Sequence, residues 1–198
     1  MNSLHSRLFR PVLALLLLLL PGPVLAQVTA AFFTQDTGSY FPHAFVSLRG
    51  TSEAGEQVDE MFGFTVKSLS PAILFGSVDG RVNMEMEPEY IAASDVWFEV
   101  KLDDEQLAAL RSLQREWGEE DIAYRLNSRN CVHFIAEAMR RSGLKVDEPK
   151  NLMKKPKTFT RHIAAMNAGR ITPISMTAPE YFDFLEKRDR AWSAAAGK

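Results

Sequence analysis

The chain holds a single cysteine, Cys131, in 198 residues, so no internal disulfide can form. It holds four histidines. His43 and Cys131, the two candidates for metal ligation, lack close spacing and fall short of the three or four ligands a metal takes, so neither metal nor cofactor is expected. Neither sign of charge dominates, with 23 basic side chains against 25 acidic ones, which gives no general reason to bind nucleic acid. No long apolar run recurs after residue 26, so no stable membrane span is expected in the finished chain. There is no internal repeat.

What is present begins with MNSLHSRLFR, an apolar run from Val12 to Leu20, and PGPVLA before Gln27. A basic start, a short apolar centre and Val24-Leu25-Ala26 as a small-residue cleavage site read as a secretory signal peptide over residues 1–26. No cysteine follows the run, which argues against a lipid anchor. The product is expected to be exported, periplasmic or secreted. Residues 27–198 suffice for one domain with a substantial core; without Arg7 and Arg10 the formal charge of −2 becomes about −4.

Six short runs rich in β-branched and aromatic residues follow: Val28 to Gln35, His43 to Gly50, Phe62 to Ser68, Ile73 to Val78, Arg81 to Met86 and Val96 to Leu102. Asp79-Gly80 reads as a two-residue hairpin turn, and TSEAGEQVDE, Thr51 to Glu60, as a polar hairpin loop. Sequential antiparallel pairing is the simplest arrangement. From Asp103 the period becomes helical. Asp103 with Gln106 has capping-box spacing, and Leu107, Leu110, Leu113 and Trp117 form a stripe that Gly118 ends. After a Pro-containing linker a short helix capped by Thr158 presents Phe159, Ile163 and Met166 and ends at Gly169. Thr177, Pro179 and Glu180 open a last helix with Tyr181, Phe184, Leu185, Arg188 and Trp192 in line. Strands first and helices after indicate an α+β domain, an antiparallel sheet packed against helices, with a core of about 28–145 and a helical extension of about 156–195.

Cys131 opens the stretch CVHFIAEAMRRSGL, preceded by Asn127, Ser128 and Asn130, residue types whose side chains accept bonds from the free N–H groups of a first turn. The spacing predicts a helix that starts at or just before Cys131 and ends at Gly143 in a left-handed conformation. Cys131, Val132, Phe134, Ile135, Ala138 and Met139 share its apolar face, so the thiol points inward; His133 falls on the opposite face, toward solvent. A helix N-terminus stabilises a thiolate by about 0.3 to 1 kcal/mol, at most ~2, which lowers a pKa of ~8.5 by roughly one unit. A nucleophile therefore needs a histidine as well. His5 leaves with the leader and His162 lies off its helix stripe. His43, at the opening of a strand, remains.

The hexapeptide Asn130-Cys131-Val132-His133-Phe134-Ile135 resembles the nucleophile motif Asn-Cys-Glu-His-Phe-Val of the lecithin retinol acyltransferase-like proteins, in the circularly permuted branch of NlpC-type papain-like cysteine hydrolases. There the catalytic histidine precedes the cysteine and starts a core strand, and the cysteine opens a helix after the sheet, as His43 and Cys131 do in order. The resemblance spans about Tyr40 to Leu144 and implies a permuted papain-like fold with a Cys131–His43 dyad. Val132 stands where the family has glutamate. Family members also carry a polar residue on the following strand to orient the imidazole; Thr65, Ser68 and Glu60 are the candidates here.

These readings converge on an exported thiol hydrolase that cleaves an amide, ester or thioester, with cell-wall peptides the favoured substrate and lipid or other acyl donors the rivals. The alternative is a non-catalytic binding or assembly domain on the same scaffold, with Cys131 a small buried core residue. Arg140, Arg141, Lys145, Lys150, Lys154, Lys155, Lys157 and Arg161 form a basic stretch that could hold an anionic envelope ligand, although such a run is more often a solvated surface. Trp97, Trp117 and Trp192 read as core.

Overall fold

The structure is a computed structural model that describes residues 27–36, 41–120 and 122–196, with side chains to residue 191. The leader reading, on residues 1–26, and the side chain of Trp192 fall outside the described residues. Seven strands form one antiparallel sheet: β1 (Gln27–Gln35), β2 (His43–Thr51), β3 (Gln57–Val66), β4 (Ser77–Asn83), β5 (Asp95–Leu102), β6 (Ala123–Arg125) and β7 (Thr172–Thr177), in the order β6-β4-β3-β2-β1-β5-β7. The helices are α1 (Pro88–Ala92), α2 (Asp104–Trp117), α3 (Cys131–Arg141), α4 (Pro156–Met166) and α5 (Ala178–Ala196). This is the α+β architecture expected from strands followed by helices.

β1 lies inside the sheet between β2 and β5, and its sequence explains why. Val28, Ala30 and Phe32 face one side and Ala31 and Phe33 the other, all buried, so the strand is apolar on both faces. Sequential pairing holds from β1 to β4, but β5 returns to pair with β1 rather than β4. On one face α2, α3 and α4 cover Val28, Ala30, Phe32, Ala44, Val46, Leu48, Phe62 and Phe64. On the other, α5 covers Ala31, Phe33, Phe45 and Val96 with Tyr181 and Leu185. Each such large side chain, fully buried, contributes about 1.5–3 kcal/mol.

Several local expectations are corrected. Asp79-Gly80 is not a turn; it lies inside β4, opposite Ala123 and Val66. Gly80 is there because a Cβ would run into the Phe64 ring, so it answers to close approach and not to turn geometry. Ile73 to Val78 is not a strand: Pro71 opens a 3-10 turn, Pro71–Leu74. The 51–60 loop is shorter than read, since β3 begins at Gln57. Thr158 caps nothing, because Pro156 opens α4 with Lys155 before it, where the missing N–H of proline is harmless. α4 ends at Met166, which is exposed, and Phe184 is exposed too. The C-terminal region supplies β7 as well as helices, and the short elements α1 and β6 carry too few residues to show a period.

Candidate active site

The start of α3 is built by one side chain. Asn130 Oδ1 accepts from the N–H groups of Val132 (2.8 Å) and His133 (3.2 Å), while its amide donates to the carbonyls of Leu126 (2.8 Å) and Met153 (2.7 Å). A buried asparagine that uses both ends this way fixes where the helix begins. His133 Nδ1 closes the capping box by accepting the Asn130 N–H at 3.4 Å. His133 is therefore half-buried, a structural cap and not a solvated residue. Gly143 ends the helix with φ of 80°, and the Leu144 N–H reaches back to the Met139 carbonyl.

Cys131, the first residue of α3, is 4% exposed and donates its S–H to the Pro42 carbonyl at 3.9 Å. The N–H groups of Ala44, Val132 and Cys131 itself and the Tyr124 hydroxyl face the sulfur and favour its thiolate. Burial outweighs them and pushes the thiol up to about 11. The helix terminus supplies about 1 kcal/mol, and the loss of water around a sealed anion exceeds that. Burial and the adjacent sulfur together hold the Tyr124 phenol well above its ordinary range.

His43 opens β2 beside this thiol, whose partners Pro42 and Ala44 are its two chain neighbours. The imidazole itself lies on the other side of the strand. Its ring stacks on Phe45 (centroids 6.2 Å apart) and tilts against Tyr90 of α1 (6.1 Å), both associated with the α5-covered face, whereas Cys131 packs with Ala44 on the α3-covered face. No hydrogen bond joins the ring to the thiol. Burial pushes His43 down to about 4. The structure thus brings Cys131 to the backbone on either side of His43 while leaving thiol and ring on opposite flanks.

Of the candidates to orient the imidazole, Glu60 sits opposite Leu48 and is held by Arg111 at 2.9 and 2.5 Å, and Ser68 lies past the end of β3. Thr65 shares a cleft with His43. On β3 Gly63 lies against the ring: a Cβ there would stand 3.0 Å from His43 Nε2 and 2.8 Å from Phe45 Cβ. The position beside Nε2 therefore carries no side chain. The cleft measures about 520 Å³; His43, Tyr90 and Met86 line one side, Thr65, Lys67 and Arg81 another, and Tyr124 stands on its wall.

Sequence reasoning missed Tyr124 and Tyr90. Tyr124 stacks on Phe64 at 5.6 Å and pairs with Val78; its only signal was the alternation Ile122, Tyr124, Leu126 just before the cysteine motif. Among the described residues no cluster of three or more His, Cys, Asp or Glu is placed to hold a metal. His162 pairs with Asp147 at 2.7 Å. Half of the basic stretch is engaged within the fold: Arg140 with Glu137 and Glu148, Arg141 with Glu116 and Glu137, Lys157 with Asp95, and Lys157 and Arg161 over the Trp97 ring. No helix among the described residues is long and apolar enough to cross a membrane. Comparison with protein-family models, curated proteins and solved structures finds no match.

Proposed function

We propose that the protein is an exported cysteine hydrolase or acyl transferase with Cys131 as nucleophile and His43 as base. One observation carries this reading: the chain's single thiol, placed at a helix N-terminus, is lodged against the backbone that flanks His43, next to a cleft lined by that histidine. The pair rests neutral. With the thiol near 11 and the imidazole near 4, separating the charges costs roughly 9 kcal/mol. Attraction at contact returns about 4 kcal/mol at an effective dielectric near 20.

The proton therefore moves during attack and not before it. The His43 ring, on the first residue of β2, leaves its stack and swings round the strand end to the thiol, takes the S–H proton as sulfur bonds to the carbonyl carbon, and the Cys131 N–H holds the oxyanion. His43 returns the proton to the departing amine, alcohol or thiol, and water or another acceptor releases the acyl thioester. The substrate is a peptide, lipid or other acyl donor met outside the cytoplasmic membrane, with cell-wall peptides first to be tried.

The second reading, a binding or assembly domain with a structural cysteine, is favoured by the burial and neutrality of both side chains. Incubation with p-nitrophenyl acetate followed by intact-mass analysis separates the two. The hydrolase gains one acetyl group on Cys131, lost in Cys131→Ser and formed about a hundredfold more slowly or worse in His43→Ala. No adduct, or one formed equally fast in His43→Ala, overturns the dyad and leaves the binding domain.

A further inference from the structure

We infer that the connection between β3 and β4 is a docking tip for the surface of a lipid bilayer. Phe75 is 88% exposed, Leu69 71% and Leu74 65%, the three most exposed large apolar side chains of the described residues, and all three lie within one short turn of chain. No charged residue occurs from 68 to 78. Ile73, buried in the core between them, roots the turn in the body of the protein.

At the apex of the tip the backbone turns back on itself. Ile73 N–H bonds to the Ser70 carbonyl at 3.3 Å, and the N–H groups of Phe75 and Gly76 bond to the Ala72 carbonyl at 3.0 and 3.2 Å. A lipid interface accepts such a turn because these N–H groups need no outside partner. A protein partner is the poorer occupant. Protein interfaces carry roughly one hydrogen bond per 100–200 Å², and the polar side chains from 68 to 78 are only Ser68, Ser70 and Ser77.

Charge decides which bilayer. Lys67 and Arg81 flank the tip with Asp79 between them, while Glu85, Glu87 and Glu89 stand across the cleft mouth. The surroundings are acidic on balance, so the surface that fits is zwitterionic, with apolar insertion and not electrostatic attraction holding the protein. Leu69 also lines the cleft, and Phe41 and Met84 are exposed beside it, so docking turns the cleft mouth toward the lipid. This does not depend on Cys131 being a nucleophile.

The test is co-sedimentation of the protein, purified as its producing cells process it, with sucrose-loaded phosphatidylcholine vesicles. The native chain binds them, the Leu74→Asp/Phe75→Asp variant binds at least about tenfold less with unchanged circular dichroism, and tryptophan emission of Phe75→Trp shifts to the blue on adding vesicles. Equal binding by native and double variant overturns the proposal, as does unshifted Phe75→Trp emission. Binding only after phosphatidylglycerol is added assigns the effect to Lys67 and Arg81 and overturns it too. A native dimer that the double variant abolishes, without vesicle binding by either, gives the face to a second copy instead.

Discussion

Alternate residues of β2 enter two different environments. Ala44, Val46 and Leu48 face α3 and meet Phe62, Phe64 and Phe134 in a space whose one chemically reactive group is the Cys131 thiol. His43, Phe45 and Ser47 face the other way, where buried polar groups are part of the packing. Ser47 and Glu99 flank Ala31 in one row across the sheet, and Glu99 is held by the Tyr181 hydroxyl and, at 3.4 Å, by Arg188 of α5. Between the sheet and α3 the contact layer is built mainly of aliphatic and aromatic side chains, with buried polar groups such as Asn130 at the helix start; the α5 face takes a buried carboxylate, Glu99, into the packing itself. Burial on both faces holds the thiol and imidazole neutral, so the two sides differ in packing but agree in protonation.

The largest effect expected is on the apolar face. Phe134 packs edge-on to Trp117 (5.3 Å) and beside Phe62 and Phe64 (6.2 and 6.3 Å). Phe134→Ala should lower stability by about 3–5 kcal/mol, read as a shift of the urea midpoint. A loss below about 2 kcal/mol would mean that this layer is no more tightly packed than the other.

Next comes acid. His43 is held at about 4 against 6.5 unfolded, so its neutral form is favoured by the fold. Its contribution is complete above pH 6.5 and is lost as pH falls through that window toward 4, by about 3 kcal/mol in all. His133, also lowered by burial, adds to the same limb, so His43→Phe isolates the His43 share. Cys131 runs the opposite way: raised from 9.0 to about 11, it leaves stability intact below pH 9 and erodes it as pH rises toward 11. Urea titrations across pH should show both limbs, with the acid limb shallower in His43→Phe and the start of the alkaline limb, from pH 9, shallower in Cys131→Ala, while Tyr124 and Tyr181, also raised by burial, sustain its more alkaline part.

How much of this was legible in the sequence differs by face. α3 was readable because its cap, its stripe and its terminal glycine are local: Asn130, Phe134 with Ile135, and Gly143 act within one turn of their partners. β1 and β2 were readable as short runs rich in β-branched and aromatic residues. The far face was not, because it is assembled from distant pieces. Tyr90 on a five-residue helix, Tyr181 and Arg188 from α5, and β7 come together only once the sheet forms. Gly80 misled for a related reason: Asp-Gly is a turn signal locally, and only the packed Phe64 ring shows that the glycine answers a distant side chain. The place of His43 was visible in its position at the strand start, but the side to which its ring turns depends on Gly63 and Tyr90, neither of which has a sequence pattern.

Gly63→Ala tests how tightly that second face is set. The new methyl would press on Phe45 Cβ at 2.8 Å and on His43 Nε2 at 3.0 Å. The strand cannot move without disturbing its pairing with β2, so the ring must give. A loss of about 1–3 kcal/mol is expected, with a shifted His43 ring resonance in NMR. An unshifted resonance would put the ring elsewhere than over Gly63.

The smallest effect on stability carries the sharpest information. Tyr90 is half-buried, and its ring contacts both His43 and Phe45, at 6.1 and 6.2 Å. Tyr90→Ala should cost about 1 kcal/mol, in the ordinary range for a partly exposed side chain, while admitting water to the imidazole. Because burial is what lowers His43, its titration by NMR should move up from about 4 toward 6.5, and the acid limb of stability should shrink with it. Phe134→Ala, three to five times as destabilising, should leave that titration where it was, because its cavity opens on the other side of β2. If both variants move the His43 titration equally, the two faces communicate through the strand and the separation between them fails.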